Sequence, residues 1–202
     1  MKSFEEILTN QIIPLVTKPG RYLGNEMNVI KKDWSTIDVS FALVFPDLYE
    51  LGMSYIGFEI LYHILNKKKN IAAERVFAPG QDLEGLLRNR EIRLFSLESK
   101  NPLNRFDIVG FTLQYELHYT NILNILDLGG IPLYSRDRQE NDPFVLAGGP
   151  CAFNPEPLAD FFDAVVIGDG EEVVLEIAEL INRGKKENKN RQTILKDLAH
   201  IT

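Results

Sequence analysis

The stretch from Phe144 to Glu172, FVLAGGPCAFNPEPLADFFDAVVIGDGEE, constrains the fold more than any other part of the chain. It holds two short apolar runs, 144–147 and 164–167. Each breaks into glycine, the first at Gly148-Gly149-Pro150 and the second at Gly168-Asp169-Gly170. Runs this short, with no alternation of apolar and polar residues, predict strands covered on both faces inside a parallel sheet. Ligands of such sheets bind outside the carboxyl ends of the strands, where glycine lets a backbone come close. The functional face is expected there.

The rest of the chain reads as further strands alternating with helices. Val39 to Phe45 is an apolar run ended by Pro46, and residues 74–78 and 107–113 follow as strands, with a weak one at 92–96. Ile56, Ile60, Leu61, Ile64 and Leu65 predict one buried face of a helix, and Lys67 to Lys69 suit its carboxyl end. Further helices are expected over 82–90, over 117–128 with Gly129-Gly130 as its cap, briefly over 157–162, from 173 to Gly184, and over 190–200. Such alternation predicts an α/β fold, a doubly wound, mainly parallel, flavodoxin-like sheet of order 2-1-3-4-5 with helices on both faces. Three loops then meet at the switch point between the first and third strands: 46–52, 112–116 and 148–151.

Residues 1–38 read as an extension, with a short helix over 4–13 and a strap over 21–34. Residues 39–184 form the α/β domain, and 185–202 a basic linker leading into a further domain. At 45% hydrophobic and 25% charged, the chain is expected to be globular. A net charge of -7 argues against nucleic-acid contact, and the basic cluster from Arg183 to Arg191 reads as solvated linker. No run approaches a membrane span and no signal peptide opens the sequence, so a cytoplasmic protein is expected. A single cysteine, Cys151, excludes an internal disulfide and cannot furnish the thiolates of an iron–sulfur cluster. It reads as a small packing residue, because neither His63 nor His118 has an evident orienting partner.

Taken in order, the three loops resemble the cobalamin-binding module, whose signature is D-x-H-x-x-G, S-x-L and G-G. Here they read Asp47-Leu48-Tyr49-Glu50-Leu51-Gly52, Thr112-Leu113-Gln114 and Gly148-Gly149. The phrases RYLGNE, FPDLYELGMSYIGF, LFSLES, GFTLQYEL, GGPCAFNPEPLADFFD and IGDGEE extend the likeness. Over roughly residues 20–184 the chain is similar to the amino-terminal region of radical S-adenosylmethionine proteins with a cobalamin-binding domain.

That resemblance implies a cobalamin site made of Asp47, Tyr49, Gly52, Thr112, Gln114, Gly148, Gly149, Pro150, Gly168 and Gly170. Tyr49 replaces the histidine that binds cobalt, and a phenol with pKa near 10 is a poor ligand at neutral pH, so cobalamin is expected without a histidine on its lower face. Asp47 and Tyr49 equally suit a turn cap and a packed ring, and Asp169 suits a helix cap. Gly149→Leu is expected to block the cofactor tail without harming the fold, and Tyr49→His to restore a ligand oriented by Asp47.

The resemblance also implies a radical SAM barrel, in cis or in trans, whose C-x-x-x-C-x-x-C motif holds a 4Fe-4S cluster and S-adenosylmethionine. The sequence ends before such a motif, so a fragment, split subunit or shortened reading frame is expected, without catalysis of its own. The competing reading is a cofactor-free docking domain of the same fold. A phosphoreceiver is set aside for want of its acidic pocket, and a flavodoxin for want of its hydroxyl-rich phosphate loop.

Overall fold

The computed structural model describes residues 4–201. Its centre is a five-stranded, wholly parallel sheet of order β2-β1-β3-β4-β5, the doubly wound arrangement expected. The strands are β1 (Val39–Phe45), β2 (Ile71–Phe77), β3 (Ile108–Thr112), β4 (Phe144–Gly148) and β5 (Ala164–Val165). All seven residues of β1 are buried, because helices or chain segments cover both faces of the sheet. β2 begins three residues before the expected 74–78, taking in the apolar Ile71, Ala72 and Ala73, and β5 closes after two residues.

The longer helices are α1 (Ile56–Asn66), α2 (Gln81–Asn89), α3 (Tyr119–Gly129), α4 (Gly170–Lys186) and α5 (Arg191–Leu198). On one face Phe41, Leu43, Ile108 and Leu146 pack with α1, α4 and α5. On the other, Val44, Val109, Phe111 and Val145 pack with α2, α3 and residues Leu8, Ile12, Ile13, Val16 and Tyr22. The amino-terminal segment thus completes a hydrophobic layer. Gly130 caps α3 in the left-handed conformation at φ 66°, as its glycine pair predicts.

Several expectations fail at identifiable points. The buried side of α1 is Phe58, Tyr62 and Leu65, whereas Ile56 and Ile60 face outward, because a helix apolar all round does not declare its inner face. Leu117 lies in a 3₁₀ turn (Glu116–His118) ahead of α3 and is exposed. The weak strand at 92–96 is no strand. Only Phe95 bridges, to Pro102, while Leu97 N–H donates to Arg75 carbonyl along the outer edge of β2. Helical structure over 4–13 is one α-turn (Phe4–Ile7) followed by a π-helix (Leu8–Ile12). The basic run ends in a buried residue, since Arg191 reaches Asp163 at 2.6 Å and two backbone carbonyls.

Candidate functional site

Because all five strands are parallel, every loop that follows a strand opens on one edge of the sheet. The half of that edge over β3, β4 and β5 holds a cavity of about 450 Å³ between the sheet and helices α1 and α4. Six glycines line it: Gly57, Gly110, Gly148, Gly149, Gly168 and Gly170. Gly110 lies in mid-strand, where a Cβ would stand 3.1 Å from the Phe41 ring. A Cβ on Gly148 would meet only Val166, at 3.7 Å, so a side chain there would project into open space. Gly149 has φ 108° and approaches Leu113 backbone closely, a conformation that L side chains rarely adopt. Aromatic rings from Phe41, Tyr55, Phe58 and Phe153 complete an apolar, glycine-walled slot.

Polar groups are few. Thr112 Oγ1 accepts from Gln114 Nε2 at 2.8 Å, which leaves the hydroxyl proton free to donate. Asp169 occupies the position before α4, but its side chain makes no capping bond. Thr112, Gln114, Gly148, Gly149, Pro150, Gly168 and Gly170 are therefore brought together around one cavity.

Asp47, Tyr49 and Gly52 lie outside its lining and hold the chain together elsewhere. Gly52 is packed where a Cβ would fall 2.3 Å from the Phe77 ring. Tyr49 packs edge-on against Phe77, and its hydroxyl donates to Glu26 Oε1 at 2.8 Å. Burial and that carboxylate push the phenol up to about 12. Asp47 accepts from Leu48 N–H at 2.7 Å, and its other oxygen lies 3.0 Å from His118 Nε2.

His118 therefore has an orienting partner, contrary to the sequence reading, because folding brings the β1 loop against the turn before α3. Its ring is buried against Phe45, and its Nδ1 has no hydrogen-bond partner. Cys151 is half-buried, and burial together with the Glu116 carboxylate pushes its thiol up, the reverse of an activated nucleophile. His63 lines an apolar groove on the outer side of α1.

Sequence reasoning missed the network that closes the other half of the edge. Arg75 of β2, almost wholly buried, contacts Glu98 at 2.7 Å, Glu26 at 3.1 Å and Glu59 at 3.3 Å. The strap RYLGNE is fastened along its length. Arg21 pairs with Glu50, Tyr22 hydroxyl accepts from Gly80 N–H, Leu23 carbonyl accepts from Lys100 Nζ, and Glu26 takes Tyr49 and Arg75. A Cβ on Gly24, whose φ is 64°, would fall 2.0 Å from Leu97 carbonyl oxygen. The available signal was a charged pair, Glu74-Arg75, inside an otherwise apolar strand.

Among the described residues, no group of three or more His, Cys, Asp or Glu is placed to hold a metal, and no helix is long and apolar enough to cross a membrane. The chain is 27% identical over 147 residues to an uncharacterised protein of Methanocaldococcus jannaschii, an alignment covering 70% of this chain and 26% of that protein. It thus spans about a quarter of the curated relative it matches. A family described as radical SAM proteins, N-terminal, matches residues 57–202, which include β2 to β5 and the whole glycine-walled half of the edge except its β1 floor and Tyr55, and on that match the chain belongs to the radical SAM N-terminal family.

Proposed function

We propose that this domain holds a cobalamin by its nucleotide tail, as the amino-terminal partner of a radical SAM barrel that carries the iron–sulfur cluster and S-adenosylmethionine. The observation that carries this reading is the glycine-walled cavity at the carboxyl ends of β3, β4 and β5. Its aromatic rings suit a flat base, and Gly148 leaves room for a ribose and its phosphate against backbone. Thr112 would donate its hydroxyl proton to the tail. Bound cobalamin would supply a cobalt centre for methyl-group or radical chemistry, and the catalytic machinery would lie on the barrel.

The residues fit the tail and do not fit a histidine-type lower ligand. Position 49 is turned toward Phe77 and Glu26, and Asp47 is already engaged by His118. Tyr49→His is accordingly expected to restore nothing. Engagement of Tyr49 in the strap favours one competing reading, a cofactor-free docking domain that keeps the fold.

Hydroxocobalamin titration with absorbance and equilibrium dialysis separates the two. The parent and Tyr49→Phe are expected to bind alike, and Gly148→Leu to lose binding at an unchanged melting temperature. Gly148 is the better probe than Gly149, where the positive φ would strain any side chain. Absence of binding in the parent assigns the domain to the cofactor-free reading.

A further inference from the structure

The loops leaving β1, β3, β4 and β5 (residues 46–56, 113–118, 149–162 and 166–172) carry eight aspartates and glutamates. They contain no lysine or arginine, although the chain holds 22 of these. Two of the eight are engaged, Asp47 with His118 and Glu50 with Lys18 and Arg21. The other six, Glu116, Glu156, Asp160, Asp169, Glu171 and Glu172, are exposed, and none forms an ion pair among the described residues. The first turn of α4 accounts for the last three through its dipole but leaves their charge outward.

The same loops expose large apolar side chains. Leu51, Ile56, Tyr115, Leu117, Phe153 and Ile167 are each between 52% and 75% exposed. Scattered apolar residues are ordinary on a protein surface, but here all four loops of one edge bear them and none bears a cation.

We propose that this edge docks a protein surface with an apolar centre ringed by lysine and arginine. A second copy meeting edge to edge would set carboxylates against carboxylates. Phosphate backbones and anionic bilayers are repelled. A cationic protein face gains from both features, since steering by charge and burial of apolar rim act together. The inference stands whether or not the cavity is filled.

The test uses a synthetic amphipathic peptide of lysine and leucine, its glutamate–leucine counterpart, and the whole chain. Hydrogen exchange should show protection by the lysine peptide confined to the four loops, with no binding of the glutamate peptide. Leu117→Ser with Ile167→Ser, both outside the cavity lining, should weaken the lysine peptide about tenfold, the equivalent of ~1.4 kcal/mol, with hydroxocobalamin binding unchanged. Glu171→Gln with Glu172→Gln should weaken it severalfold and abolish its salt sensitivity in part. Protection elsewhere on the molecule, or affinity indifferent to Leu117 and Ile167, overturns the proposal in favour of diffuse charge attraction. A concentration-dependent dimer in sedimentation equilibrium, lost in Leu117→Ser with Ile167→Ser, overturns it in favour of a second copy, and binding to phosphatidylserine vesicles in favour of a membrane.

Discussion

The two halves of the carboxyl edge are built from the same kind of loop and have opposite characters. Over β1 and β2 the edge is closed. A strap crosses it, Arg75 gathers three carboxylates beneath it, and Gly52 is filled by Phe77. Over β3, β4 and β5 the edge is open, with glycines facing about 450 Å³ of space and few polar groups. A glycine therefore has two uses here. At Gly24 and Gly52 it lets chain segments touch, and at Gly148 it leaves a gap into which nothing in the chain projects. The position that holds histidine in the cobalamin module falls in the closed half, where its tyrosine serves the strap.

If that contrast is right, substitutions should hurt stability in one half and spare it in the other. The largest effect is expected for Arg75→Met, which strands Glu98, Glu26 and Glu59 around an apolar chain. Chemical denaturation should register a loss of about 3–5 kcal/mol. Gly24→Ala should cost roughly 1–3 kcal/mol, since its positive φ and the Leu97 carbonyl both resist a methyl group. Stability equal to the parent's in either variant would break the picture of a clamped half.

A pH series sharpens the comparison. Burial holds the Glu98 carboxyl at about 7, above its ordinary range, although Arg75 beside it acts in the opposite direction. The folded state then binds a proton that the unfolded state has released. Its contribution is complete below the ordinary carboxylate pKa and is lost as pH rises through 7. Glu98→Gln should remove that falling slope between about pH 4.5 and 7, a change of at most ~1.4 kcal/mol per pH unit for one proton. A Glu98→Gln stability curve parallel to the parent's across this window would contradict the assignment.

Smaller still is the expectation for Tyr49→Phe, which forfeits one hydrogen bond to Glu26, about 1 kcal/mol by thermal melting. Gly148→Leu should shift the melting transition by no more than about 0.5 kcal/mol, because its side chain enters vacant space. A Gly148→Leu variant as damaged as Gly24→Ala would mean the two halves do not differ.

The sheet was legible because every strand except β2, which carries Glu74-Arg75, is a largely apolar run stopped by Pro, Gly or a polar loop, and periodicity and punctuation are local properties. The glycine-bounded ends of β4 and β5 were legible for the same reason, and they proved to wall the cavity. Side-chain partners were not. Asp47 and His118 are 71 residues apart, and Glu26 and Arg75 are 49 apart, so only the folded chain pairs them. The inner side of α1 was hidden by composition, since IGFEILYHIL has apolar residues on every side and only packing chooses among them.

The capping of β2 by Arg75 and Glu98 has a consequence for how this domain can be joined to anything else. The backbone N–H and carbonyl of Arg75 that would greet an incoming strand are taken by the Glu98 carboxylate and Leu97 N–H. At the opposite margin β5 has two residues, too few to template a sixth strand. Neither border of the sheet can grow by β-augmentation. A polypeptide that associates with this domain through its loops and helices has its specificity written in residues that can vary without disturbing the ladder beneath them.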